Sequence, residues 1–157
     1  MNGKPWSKLK SRVEALWADK LQLAIHCTSY QWPHPGRPEP VSRHWITLSK
    51  AILWDFPGPF LSTDRIRGGP VAYASLHFPN GGSIVGELLR EYLDRPKAAL
   101  FEPFDNDQWE LTDILRAADR RIGRQTLSAW GAGLDAGHPA CAVIEARLGK
   151  VMGGGIV

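Results

Sequence analysis

Apolar residues recur along this chain with two different periods, and the change of period divides it. Near the start, Trp6, Leu9, Val13, Leu16 and Trp17 recur at helical spacing, so they share one face. Ser7 is placed to cap that helix, and Lys8, Lys10, Arg12 and Glu14 fall off the apolar stripe. From residue 21 the period shortens to two. Leu23, Ile25 and Cys27 alternate with Ala24, His26, Thr28 and Tyr30, which predicts a strand over residues 21–30 with one buried face. Pro33, Pro35, Pro38 and Pro40 mark a loop, because proline cannot donate to a ladder. Strands are predicted over 43–48 and 51–56, joined by Ser49 and Lys50. Ile46 and Leu48 share one face, Trp45 and Thr47 the other, and Ile52, Trp54 and Phe56 form the next apolar set. A fourth strand is predicted over 71–78, with Ala72, Ala74, Leu76 and Phe78 on one side and Val71, Tyr73, Ser75 and His77 on the other.

Beyond the Pro79-Asn80-Gly81-Gly82 turn the helical period returns. Ser83 is expected to cap a helix carrying Ile84, Val85, Leu88, Leu89 and Tyr92, and Pro96 blocks its continuation. A helix over 112–122 follows, with Thr112 as its cap, Asp113 at the positive end and Gly123 as its stop. Two short helices are expected near 125–130 and 139–148. Strands in one block and helices in another predict an α+β fold. It comprises an N-terminal helix, a four-stranded, mainly antiparallel sheet, and a C-terminal cluster of helices on one sheet face. Residues 1–148 read as a single domain, and 149–157 as a Gly-rich C-terminal tail.

Composition adds little that is specific. The chain has 157 residues, a formal charge of +3 and seven tryptophans. That mild basic bias permits an anionic partner without requiring one. No apolar run approaches the ~20 residues of a membrane span, and no secretory leader is evident at the start. A soluble, cytoplasmic protein is therefore expected, with Cys27 and Cys141 reduced and packed as small hydrophobes.

Four segments carry a resemblance. They are Trp6-Ser7-Lys8-Leu9-Lys10, then His26-Cys27-Thr28-Ser29-Tyr30, then Trp45-Ile46-Thr47 with Trp54-Asp55-Phe56-Pro57-Gly58, and last the run LTDILRAADRRIG over 111–123. Together they resemble a family of small bacterial proteins with no assigned activity, over about residues 6–148. Some proteins of this kind travel on mobile gene cassettes, so the resemblance implies an accessory role. It brings no site residues with it.

The candidate chemistry is therefore read from the residues themselves. With Ile25, Ile46 and Leu76 facing the core, alternation sends His26, Thr28, Tyr30, Trp45, Thr47, Tyr73, Ser75 and His77 outward. Rings, hydroxyls and imidazoles on one face suit a small ligand, a peptide or a second subunit. Good strand formers that merely pack are the plainer reading. This face, or the tail, suggests a homo-oligomeric binding module. An alternative is an acid–base enzyme using His26, His77 and Asp55, although Asp55 equally suits capping the Pro57-Gly58 turn. A second alternative is anion or nucleic-acid binding by Arg116, Arg120 and Arg124, expected opposite the core stripe of the 112–122 helix. A salt-bridged, solvated face explains that row as well, and the low net charge argues against nucleic acid. No cofactor or metal is expected: His26 and Cys27 are strand neighbours pointing to opposite faces, and no Cys-x-x-Cys or His-Glu-x-x-His occurs. The Asn80-Gly81-Gly82-Ser83 turn lacks the lysine and spacing of a phosphate loop.

Overall fold

The computed structural model describes residues 4–31, 40–56, 84–104, 107 and 110–149. Within them the order is helix α1 (Lys4–Glu14), strands β1 (Leu23–Gln31), β2 (Pro40–Leu48) and β3 (Ala51–Phe56), then helices α2 (Ile84–Asp94), α3 (Leu111–Ala118), α4 (Arg124–Gly131) and α5 (Pro139–Leu148). A 3-10 turn, Lys97–Ala99, lies between α2 and α3. The fold is α+β, with an N-terminal helix and C-terminal helices as expected.

The sheet differs from the expectation. Among the described residues it is a three-stranded antiparallel meander in the order β1-β2-β3, not the four-stranded sheet expected. The segment expected as the fourth strand, 71–78, lies outside the described residues. Alternation shows only that a segment is suited to one buried face, and it names no pairing partner. Ala72 and Ala74 also gave that reading little support, since alanine is a weak strand former.

Register explains the two sheet faces. Ile25 pairs with Ile46, and Ile46 with Trp54. All three are buried, together with Leu23, His44 and Phe56. Between Ile46 and Thr47 the β2–β3 register shifts, so Thr47 pairs with Ile52 and Leu53 is the extra residue. A bulge of one residue reverses the side-chain parity beyond it. The apolar set expected from Ile52, Trp54 and Phe56 is therefore broken: Trp54 and Phe56 are core, whereas Ile52 is 57% exposed. The hairpin turn places Ser49 and Lys50 at φ 50° and 73°, the paired left-handed conformation that matches strand twist. At the opposite end β1 and β2 reach further than expected, to a Gln31–Pro40 pair. Pro40 is tolerated there because it opens its strand.

Leu9 and Val13 of α1 face the core beside Ile25, and α1 also packs on α2. Ser7 lies inside α1 rather than at its cap, because the helix begins at Lys4. After α1 the chain makes an isolated antiparallel bridge between Trp17 and Asp119. Ala18 N–H donates to Ala118 C=O and Arg120 N–H to Leu16 C=O, both at 2.8 Å. That bridge ends α3 at Ala118, four residues before the expected end at Ile122. The start of α3 is also reassigned. Thr112 lies buried in the first turn, and Asp107 accepts from its backbone N–H at 3.0 Å and from its hydroxyl at 2.7 Å. One apolar cluster joins α1, the sheet and all four later helices.

Candidate functional site

The outer sheet face assembles several of the expected residues. Register sets His26 beside Trp45, and Trp45 beside Asp55. The His26 imidazole stacks on the Trp45 ring at 5.0 Å between centroids and 21° between planes. Its Nε2 lies 3.0 Å from Thr47 Oγ1. The Arg43 guanidinium lies 4.2 Å from the Trp45 ring centroid. Arg43 Nε and Nη2 donate to the two oxygens of Asp55, each at 2.9 Å, a bidentate pair. His26, Trp45 and Thr47 are half-buried and Thr28 is exposed, whereas Arg43 is only 5% exposed. The face is thus a pre-assembled ladder of imidazole, indole, guanidinium and carboxylate, with Ile52 open beside Thr47. The backbone of Tyr30 pairs with Val41, but its side chain, like Tyr73, Ser75 and His77, lies outside the described residues.

Arg43 and Ile52 were missed in the sequence. Arg43 has the parity of Trp45, so alternation alone would have found it. Ile52 carries no such signal, because its exposure comes from the bulge.

Burial lowers the His26 pKa first, then the nearby Lys10 charge, against a smaller opposing effect of Glu14. The imidazole is therefore neutral at neutral pH. Asp55 lies two strand spacings from His26, roughly 9–10 Å, and both its oxygens are taken by Arg43. It does not orient that imidazole. Behind β1, Lys10 Nζ donates to Ile25 C=O at 2.6 Å, and Ile25 N–H donates to Glu14 Oε2 at 2.9 Å. Lys10 and Glu14 themselves pair at 2.7 Å.

The arginines singled out in the sequence do not form a row. Arg116 is 7% exposed and spends its donors internally, on Leu100 C=O at 2.6 Å, Glu102 C=O at 3.2 Å and the Asp113 carboxylate at 2.5 Å. Arg120 is exposed beyond the end of α3. Arg124 opens α4 and donates to Arg147 C=O and Leu148 C=O. The single solvated helix face needed α3 to continue to residue 122, and the Trp17–Asp119 bridge interrupts it.

Two further polar clusters lie among the helices. His138 caps α5: its Nδ1 accepts from Ala140 N–H at 3.0 Å, so Nε2 carries the proton and donates to Asp113 at 3.0 Å. With both nitrogens engaged, this imidazole serves as a joint between α3 and α5 and has no lone pair open for catalysis. Asp119 is wholly buried. It accepts from Tyr92 Oη at 2.7 Å, from Arg121 Nη2 at 2.8 Å and from Arg121 N–H at 2.8 Å. Burial and the Asp119 charge push the Tyr92 phenol above its ordinary range, and the Asp119 hydrogen bond raises Arg121. Arg147 reaches from α5 to three carbonyls at the end of α3, those of Ala117, Asp119 and Ile122.

Neither thiol is activated. Burial pushes Cys27 up to about 11 and also raises Cys141, so both remain protonated and weakly nucleophilic. Among the described residues no group of three or more His, Cys, Asp and Glu is placed to hold a metal ion. No helix among them is long and apolar enough to cross a membrane.

The geometry defines a class, a small α+β protein with a polar-aromatic sheet face. Within that class, the model of the SF0329 protein family, a family of uncharacterised type, matches residues 5–66. This chain is similar to that family over α1 and the whole described sheet. The match takes in the first three resembling segments. The fourth, at 111–123, lies beyond it. No curated protein and no solved structure matches the chain.

Proposed function

We propose that this chain is a small binding and interaction module that associates with a second copy of itself through the outer face of the sheet. One observation carries the reading: Ile52, turned outward by the β3 bulge, is 57% exposed beside Thr47 and the Trp45 stack. A rigid ring, a fixed hydroxyl and an open aliphatic side chain are what the centre of an interface uses, because little entropy is lost on docking. Trp45 is held in place by His26 and Arg43 before any partner arrives. A bacterial accessory role, supported by the sequence resemblance, and a cytoplasmic location go with this reading.

Sedimentation velocity at micromolar concentration tests it. The wild type is expected to sediment as a dimer or higher oligomer, and Ile52→Lys as a monomer with unchanged circular dichroism. A wild type that remains strictly monomeric sinks the proposal. So does an Ile52→Lys variant that associates as well as the wild type.

A further inference from the structure

A second surface is a groove of about 670 Å³ whose lining residues come from α1 and α2 and not from the sheet. Leu9, Ser7, Lys8, Ser11 and Arg12 of α1 line it, with Arg90 of α2. Leu9 is 4% exposed and forms its apolar floor, while the lysine, the arginines and both serines are exposed. Lys8 and Arg12 are one helical turn apart, so their side chains share a side of α1. Arg12 lies 3.6 Å from Asp94, and both side chains are largely solvated, at 56% and 76% exposure. Such a contact is weak. Glu91, the neighbour of Arg90, is taken by Arg95 at 2.7 Å. Among the described residues, Lys8 and Arg90 have no ion-pair partner within 4.0 Å. The fold therefore gathers three cations around one groove whose described lining residues include no carboxylate, although the whole chain carries only +3.

We infer that this groove binds a small phosphate-bearing molecule, its oligophosphate held by Lys8, Arg12 and Arg90 and steadied by the hydroxyls of Ser7 and Ser11. Arginine matches phosphate oxygens with a planar fork and lysine adds a mobile point charge, so the set suits several phosphates in a row better than a single carboxylate. The volume falls within the range of small-molecule sites, and the apolar floor can take an organic body attached to the phosphates. The inference does not depend on self-association, because the sheet face contributes none of these residues.

Calorimetric titration of the full chain with inorganic tripolyphosphate and, separately, with ATP at low ionic strength tests it. Saturable binding of tripolyphosphate is expected, and it should weaken at least about tenfold in the Lys8→Glu/Arg90→Glu double variant. Both positions are exposed, so folding should survive, which circular dichroism verifies. Arg120→Glu, which alters an exposed cation that is not among the lining residues, should leave the affinity unchanged. Tighter binding of ATP than of tripolyphosphate assigns the floor to the organic body; equal binding assigns recognition to the phosphates alone, and both support the site. Absence of saturable heat with either probe overturns the inference, as does equal affinity in the double variant. Retention of single-stranded oligonucleotide that the double variant loses, without tripolyphosphate binding, also overturns it and gives the cations to nucleic acid.

Discussion

His44 shows at the scale of one residue how burial sets chemistry. It lies on the inner sheet face at 2% exposure, with the Trp6 ring edge-on at 5.3 Å between centroids. Burial lowers its pKa to about 4. The unfolded chain binds a proton near pH 6.5, and the folded chain does so only near pH 4. Folding therefore has its full contribution from this group above the unfolded value and loses it as pH falls between the two. The loss should approach about 1.4 kcal/mol per pH unit in that window and about 3 kcal/mol in all. Urea midpoints measured from pH 7 to pH 4 are expected to fall accordingly, and His44→Gln should flatten the slope whatever it costs at neutral pH. An unchanged slope would place the acid sensitivity elsewhere. Parity alone places His26 on the face opposite Ile25, because Ile25 is a strong inward marker. Sequence reading did not see that His44, on the parity of Ile46, would be buried: a histidine at an inward position reads as polar until its neighbours are known.

At the scale of elements, the helices near 125–130 and 139–148 were legible, since Gly123, Pro139 and Gly149 punctuate the chain. The end of α3 was not. Leu111 to Ile122 keeps a helical period, and only the long-range bridge from Trp17 stops the helix at Ala118. A tertiary contact overrides local propensity there. The β2–β3 turn is a clearer case of local cost. Ser49 and Lys50 both adopt left-handed backbone, which costs a residue bearing Cβ about 1–2 kcal/mol. Ser49→Asn with Lys50→Gly supplies the pair this turn prefers. The double variant is expected to gain about 1 kcal/mol and to melt later in a thermal scan. A lower melting temperature would mean that the Ser49 hydroxyl contact to Gln22, 3.3 Å long, matters more than the backbone.

For the whole molecule, the change from strand period to helix period marks no boundary in the core. Trp54 and Phe56 of the sheet share one apolar cluster with Leu127 and Ile144 of the last helices. Buried ionic and polar joints reinforce it: Asp119 holds Tyr92 and Arg121, and Arg147 holds the end of α3. Sheet and helices are therefore expected to unfold together. Tryptophan fluorescence and far-ultraviolet circular dichroism should give coincident urea transitions; separated midpoints would show two independent units. The outer-face ladder was only partly legible, since alternation named His26, Trp45 and Thr47 but not the Arg43–Asp55 fork that fixes them. The Lys10–Glu14 pair gives the sheet a direction of growth. An incoming strand could extend β1 at Ile25 only by stripping the ammonium and carboxylate from that peptide and rehydrating both. Any lengthening of the sheet at that level is thereby steered away from the α1 side.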